Sequence, residues 1–106
     1  MSKWLYIVRT NCKNPDREPE FNDWYNKIHI PDILAGTPAF TRATRYESHG
    51  MFETPSKYLA IYEIESNDIE QTMMAHRENV DRLRAQGRMA DLTNLVAREM
   101  YIQKAT

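Results

Sequence analysis

The sequence predicts an α+β fold with the element order β-α-β-β-α-β. Three observations carry this. Four segments are rich in β-branched and aromatic residues, two segments repeat apolar residues at steps of three and four, and polar or Gly/Pro-bearing stretches separate them. Lys3–Thr10 (KWLYIVRT) reads as the first strand and Asn11–Glu18 as a polar loop. Pro19 suits the first position of a helix, where its missing N–H costs nothing. Phe21, Trp24, Tyr25, Ile28 and Asp32 then share one helical face. Pro31 disfavours the α conformation at Ile30 and removes a donor, so the helix is expected to kink or restart there. A short turn over 31–35 follows, with Gly36 placed to end it.

Ala39–Ser48 (AFTRATRYES) reads as the second strand, and His49–Lys57 as a loop punctuated by Gly50 and Pro55. Tyr58–Glu65 (YLAIYEIE) is apolar at most positions on both faces, the pattern of a strand covered on both sides. Asn67 with Glu70 resembles a capping box opening a long helix. The stripe of that helix is Ile69, Met73, His76, Val80, Leu83 and Gly87, with Glu78, Asp81, Arg82 and Arg84 largely on other faces. Leu95–Gln103 is the last strand. This order is the split βαβ, ferredoxin-like arrangement: an antiparallel sheet with both helices on one face. One alternating set on each strand is apolar whichever face is chosen, so the face opposite the helices is expected to be covered by a second copy, giving a homodimer through the sheet.

At 106 residues the chain is expected to be a single domain, 1–106. Its 42% hydrophobic and 27% charged residues fit a packed globular protein rather than a disordered one. A net charge of -1 gives no basic footprint for nucleic acid. No apolar run approaches the roughly 18 residues of a membrane-spanning helix and no signal peptide opens the chain, so no membrane association is expected. Cys12 is the lone cysteine, and a reducing cytoplasm is the expected compartment. The glycines form no phosphate-cradling pattern. The three histidines lack metal-ligand spacing, and no metal is expected.

His29 lies about 80° round the helix from Phe21, at the edge of the apolar face beside Tyr25. An imidazole there suits proton transfer, or it caps carbonyls freed by Pro31. His76 occupies an otherwise apolar stripe, where it must find a ligand or a hydrogen-bond partner. Asp32 is near enough in sequence to orient His29, or it serves the helix dipole. Tyr6, Trp24, Tyr25, Tyr46 and Tyr62 are core or interface residues, of which some could line a pocket and orient a substrate oxygen. His49 falls in a loop. Arg42, Arg45 and Arg98 could pair with Glu63 and Glu99 or with a substrate carboxylate.

Phe21-Asn22-Asp23-Trp24-Tyr25 followed by His29-Ile30-Pro31-Asp32, the Arg45-Tyr46 pair after Pro38-Ala39-Phe40, and the run Pro55–Glu63 resemble the dimeric α/β-barrel superfamily, most closely its EthD-type branch. That superfamily includes cofactor-free monooxygenases, polyketide cyclases, decarboxylases, isomerases, haem enzymes and ligand-sensing modules. The resemblance implies a pocket between helices and sheet, an acid or base role for His29 and a pocket place for His76. The resulting expectation is a small cofactor-independent enzyme that moves a proton on an aromatic, polyketide-like or cyclic intermediate. His29 would carry the proton with Asp32 or Tyr46 assisting, and Tyr6, Trp24, Tyr25, Tyr62 and His76 would hold the ligand. Cofactor-free monooxygenation is a variant, and a non-catalytic small-molecule-binding or accessory protein is the alternative class.

Overall fold

The structure is a computed structural model, and it describes residues 1–105. Strands β1 (Ser2–Cys12), β2 (Phe40–Glu47), β3 (Tyr58–Ser66) and β4 (Thr93–Ile102) form one sheet in the order β2-β3-β1-β4. Every neighbouring pair is antiparallel. Helices α1 (Glu18–Trp24), α2 (Ile30–Gly36) and α3 (Ile69–Ala85) complete the β-α-β-β-α-β order, with α1 and α2 joined as one helical arm. The fold class is therefore the α+β, ferredoxin-like one read from the sequence. Principal extents of 42 × 38 × 18 Å correspond to two layers, sheet and helices.

Period-two alternation sorts β3 into two faces, one of which packs under the helices. Tyr58, Ala60, Tyr62 and Ile64 are all buried, while Leu59 and Ile61 turn to the open face. The strands pairing with β3 follow suit: Tyr6 opposes Tyr62, and Ala43 opposes Tyr62 from the other side. Phe21, Tyr25 and Ile33 from the helical arm and Leu83 from α3 close the core from above. Each such side chain contributes roughly 1.5–3 kcal/mol by leaving water. The open face carries Leu5, Tyr46 and Tyr101, at 40%, 53% and 52% exposure.

Local details depart from the sequence reading in three places. The α-helix does restart at Ile30, as Pro31 suggested, but through a π turn rather than a break. The backbone stays helical at Ile30 (φ -60°, ψ -49°), and residues Tyr25–His29 widen into a π-helical turn instead. The Ile30 N–H reaches back five residues to the Tyr25 carbonyl. Widening moves the carbonyl four residues before Pro31 away from the ring that would strike it, so the proline is absorbed rather than expelled. The cap of α3 is Asp68, one residue later than Asn67; its carboxylate accepts from the Gln71 N–H at 3.1 Å. Gly36 has no left-handed backbone. Its need is space: a Cβ there would sit 2.0 Å from the buried Asn79 Oδ1.

The end of α3 matters for the site. Gly87 adopts φ +73°, the Gly87 N–H donates to the Arg84 carbonyl, and the Arg88 N–H donates to that of Leu83. This is a Schellman ending, which only a residue tolerant of the left-handed region makes cheaply. It swings Arg88 back over the helical arm.

Candidate functional site

The π turn sets the direction of its side chains. Tyr25 and His29 leave it side by side, ring centroids 5.0 Å apart and nearly perpendicular at 87°. Trp24 backs the imidazole, stacked at 4.7 Å and 20°. From α3, His76 lies flat on Phe40 (4.9 Å, 17°) and edge-on to Tyr6 (5.7 Å). Both histidines line one cavity of about 300 Å³ between α3 and the sheet, with Tyr6, Tyr25, Tyr62 and Met73.

Electrostatics follow from enclosure. Burial pushes the His29 imidazole down to about 4, reinforced by His76 and Arg45 and opposed by Asp32. Burial does the same to His76, also to about 4, with the Arg98 charge adding to it. Both rings are neutral at pH 7. The Nδ1 atoms of both are buried with no protein partner. Burial raises the phenols of Tyr25 and Tyr62, so both stay protonated donors. The two phenols act on each other in opposite senses, lifting Tyr62 and lowering Tyr25. Arg45 lies under this pair, its guanidinium 4.3 Å from the Tyr25 ring centre, and its positive charge works against the rise of both phenols. Chemically the cavity offers two neutral imidazoles and a coupled pair of phenols on an apolar wall.

The other residues singled out from the sequence fall elsewhere. Asp32 does not hydrogen-bond His29. Its carboxylate takes two bonds from Arg88, at 2.9 and 3.0 Å, while the Arg88 carbonyl accepts from Trp24 Nε1 at 2.9 Å. Asp32 thus pins the end of α3 to the arm and acts on His29 only through its charge. Tyr46 points to the open face, because the alternation that turns Arg45 inward turns its neighbour out. Trp24 is the wall behind His29 rather than part of the cavity lining. Of the strand arginines, Arg42 pairs with Glu63, whereas Glu99 pairs with Arg9. Arg77 and Arg84 of α3 border the cavity, although helical spacing assigns Arg84 to another face. The signal for them was their position next to the stripe: Arg77 follows His76 and Arg84 follows Leu83. Among the described residues no three His, Cys, Asp or Glu side chains converge as a metal would need. A larger groove, about 430 Å³, runs along the open face past Leu5, Glu63 and Tyr101.

No protein-family model matches the chain, and no curated protein matches its sequence. Solved structures do share its fold. HapK from Hahella chejuensis superposes with a TM-score of 0.66 over 97% of this chain and 94% of its own, at 11% identity. A mutant of SnoaB from Streptomyces nogalater, a cofactor-independent oxygenase, gives 0.60 over 100% and 97%, at 16% identity. An EthD family protein from Bacillus halodurans gives 0.56 over 100% of both chains, at 12% identity. At such identities the likeness is one of fold. The chain has the ferredoxin-like fold, which it shares with the EthD family protein from Bacillus halodurans and with SnoaB.

Proposed function

We propose that this protein binds a cyclic or aromatic small molecule in the cavity between α3 and the sheet and moves a proton on it through His29, without a cofactor. One observation carries the reading: two half-buried histidines, each with a buried and unpartnered Nδ1, line the same cavity. Buried polar atoms are nearly always satisfied, so such atoms in a cavity point to a ligand that satisfies them. An imidazole held at about 4 costs roughly 4 kcal/mol to protonate at pH 7 in the empty cavity. A substrate that becomes anionic as it loses its proton offsets much of that cost, because the new ion pair forms out of water. The reaction then belongs to the decarboxylation, isomerisation or cyclisation type, in which an enolate or phenolate forms. The Tyr25 and Tyr62 pair on the cavity wall leaves one phenolic O–H to donate to that oxygen. His76 and Tyr6 complete the wall that orients the ring.

Residues 1–106 act as one domain in this reading, and the open sheet face pairs with that of a second copy. A dimeric ferredoxin-like protein from Thermobifida fusca with the same fold supports that assembly. Cys12 as a free thiol fits a reducing compartment such as the cytoplasm. The oxygenase description of SnoaB favours a second reading, in which the deprotonated ring reacts with dioxygen.

The test uses hydroxylated naphthalenes and cyclic β-diketones in D2O. Mass spectrometry follows deuterium entering carbon, and an oxygen electrode follows dioxygen uptake. Deuterium incorporation that His29→Ala abolishes, with the dimer and its Tm retained, supports proton transfer. Uptake of dioxygen without added flavin moves the assignment to oxygenation. If His29→Ala only lowers stability and leaves both ligand binding and exchange as they were, His29 is structural and the proposal falls.

A further inference from the structure

The same cavity has a charge pattern that its apolar wall does not require. Three arginines border it, Arg77 and Arg84 from α3 and Arg98 from β4, and among its described lining residues there is no aspartate or glutamate. Elsewhere the arginines are engaged. Arg9 pairs with Glu99, Arg17 with Glu20, Arg42 with Glu63, and Arg88 with Asp32. Arg45 donates to Asn26, Arg82 to Asn79, and Arg84 meets Asp81 at 3.5 Å. Arg77 and Arg98 are left without a side-chain partner among the described residues, and both stand on this cavity.

The two guanidiniums without a side-chain partner thus stand at one opening. They come from facing elements: α3 supplies Arg77 next to His76, and Arg98 of β4 lies opposite Val8, which also lines the cavity. A group entering between α3 and β4 passes between two forks that donate in a plane.

We propose that the ligand carries an anionic group, a carboxylate fixed on its ring, which Arg77 and Arg98 hold at the rim while the ring lies against Tyr6, Tyr25 and the two histidines. This deepens the reading of the cavity as a proton-transfer site and rests on it. The charge of Arg98 already reaches the interior, since it helps keep His76 neutral. A bound carboxylate cancels that influence. Anion binding at the rim therefore makes His76 easier to protonate, and it couples recognition to the imidazoles' readiness to take a proton.

The experiment compares 3-hydroxy-2-naphthoate with its uncharged analogue, 3-hydroxy-2-naphthamide, on the full chain. Isothermal titration gives affinities at low and high salt, and NMR of the histidine ring signals reports cavity occupancy. The naphthoate is expected to bind about tenfold or more tighter than the amide, the range of one charge-assisted contact, with a preference that shrinks as salt rises. Arg77→Gln and Arg98→Gln, both exposed and outside the core, should each bring the naphthoate towards the amide's affinity while the amide is unaffected. If both compounds move the His29 and His76 signals with equal affinity, the cavity reading stands and the anion proposal is overturned. Unchanged naphthoate affinity in both variants overturns it as well. If neither compound moves either histidine, both readings fall together.

Discussion

Acidification from pH 7 to pH 5 should cost this protein a large part of its stability, and the cost should come from two side chains. His29 and His76 are held at about 4 in the folded state, against about 6.5 in an unfolded chain. A depressed histidine pKa means that the unfolded state binds more protons between those two values. Stability is therefore greatest above about 6.5, falls as pH drops towards 4, and levels once both states are protonated. For each ring the linkage relation gives a loss of about 2 kcal/mol between pH 7 and pH 5. Two rings give about 4 kcal/mol before any coupling between them, out of the 5–15 kcal/mol typical of a domain this size. The window is chosen to stay above the carboxylates. Glu18, Glu20, Asp91 and Glu99 are held below their usual range by partner cations, so their stabilisation is present above about pH 4.5 and is lost only below it. Urea titrations followed by far-UV circular dichroism at pH 7 and pH 5, at one protein concentration, measure the difference. His29→Gln and His76→Gln should each remove about half of it, and the double variant nearly all. A wild-type curve flat to within about 1 kcal/mol across that window would falsify the burial of these rings as neutral groups. An undiminished pH slope in the double variant would do the same.

Gly36→Ala should destabilise by about 1–3 kcal/mol through overpacking, because its Cβ would meet the Asn79 amide at 2.0 Å. In an Asn79→Ala background the same change should be nearly neutral, and a double-mutant cycle that shows no coupling refutes the contact. Asp32→Asn should cost about 1 kcal/mol, since its half-exposed Arg88 partner is partly screened. It should also leave ligand-induced shifts at the His29 ring in place, because Arg88 and not His29 is its hydrogen-bond partner; loss of those shifts would return Asp32 to the catalytic group. Leu59→Arg on the open sheet face should turn a dimer into a monomer by sedimentation velocity, and a wild type that already sediments as a monomer removes the proposed assembly. Arg45→Met should raise the Tyr25 and Tyr62 phenols in a spectrophotometric titration, as the cation under the Tyr25 ring is withdrawn.

The elements were legible because period and composition are local. Alternation in YLAIYEIE and steps of three and four from Phe21 and from Ile69 are properties of short windows, and they define strands and helices before any partner exists. The caps were legible to within a residue: Asp68 rather than Asn67 opens α3, since both types accept from a backbone N–H and local sequence barely separates them. Pro31 was read as a kink or restart, and a new α-helix does begin at Ile30. What local sequence did not show is the π turn over Tyr25–His29, which carries the backbone on while Phe21, Tyr25 and Ile33 stay buried.

The candidate site divides along the same line. Residue types and periodicity alone put His29 at the edge of one apolar helical face and His76 on another, and they put Tyr6 and Tyr62 on strands. Long-range packing decided the rest. It brought His29 and His76 to one cavity from segments far apart in the chain, and it gave Asp32 to Arg88 through a glycine turn at the far end of α3. It sent Tyr46 to the open face by the choice of which side of the sheet the helices cover. That choice is a collective one: both faces of each strand are apolar enough to be buried, and only the assembled layers decide which is. The two unpaired arginines meet on opposite walls for the same reason, because their separation is a property of α3 against β4 and of neither sequence segment by itself.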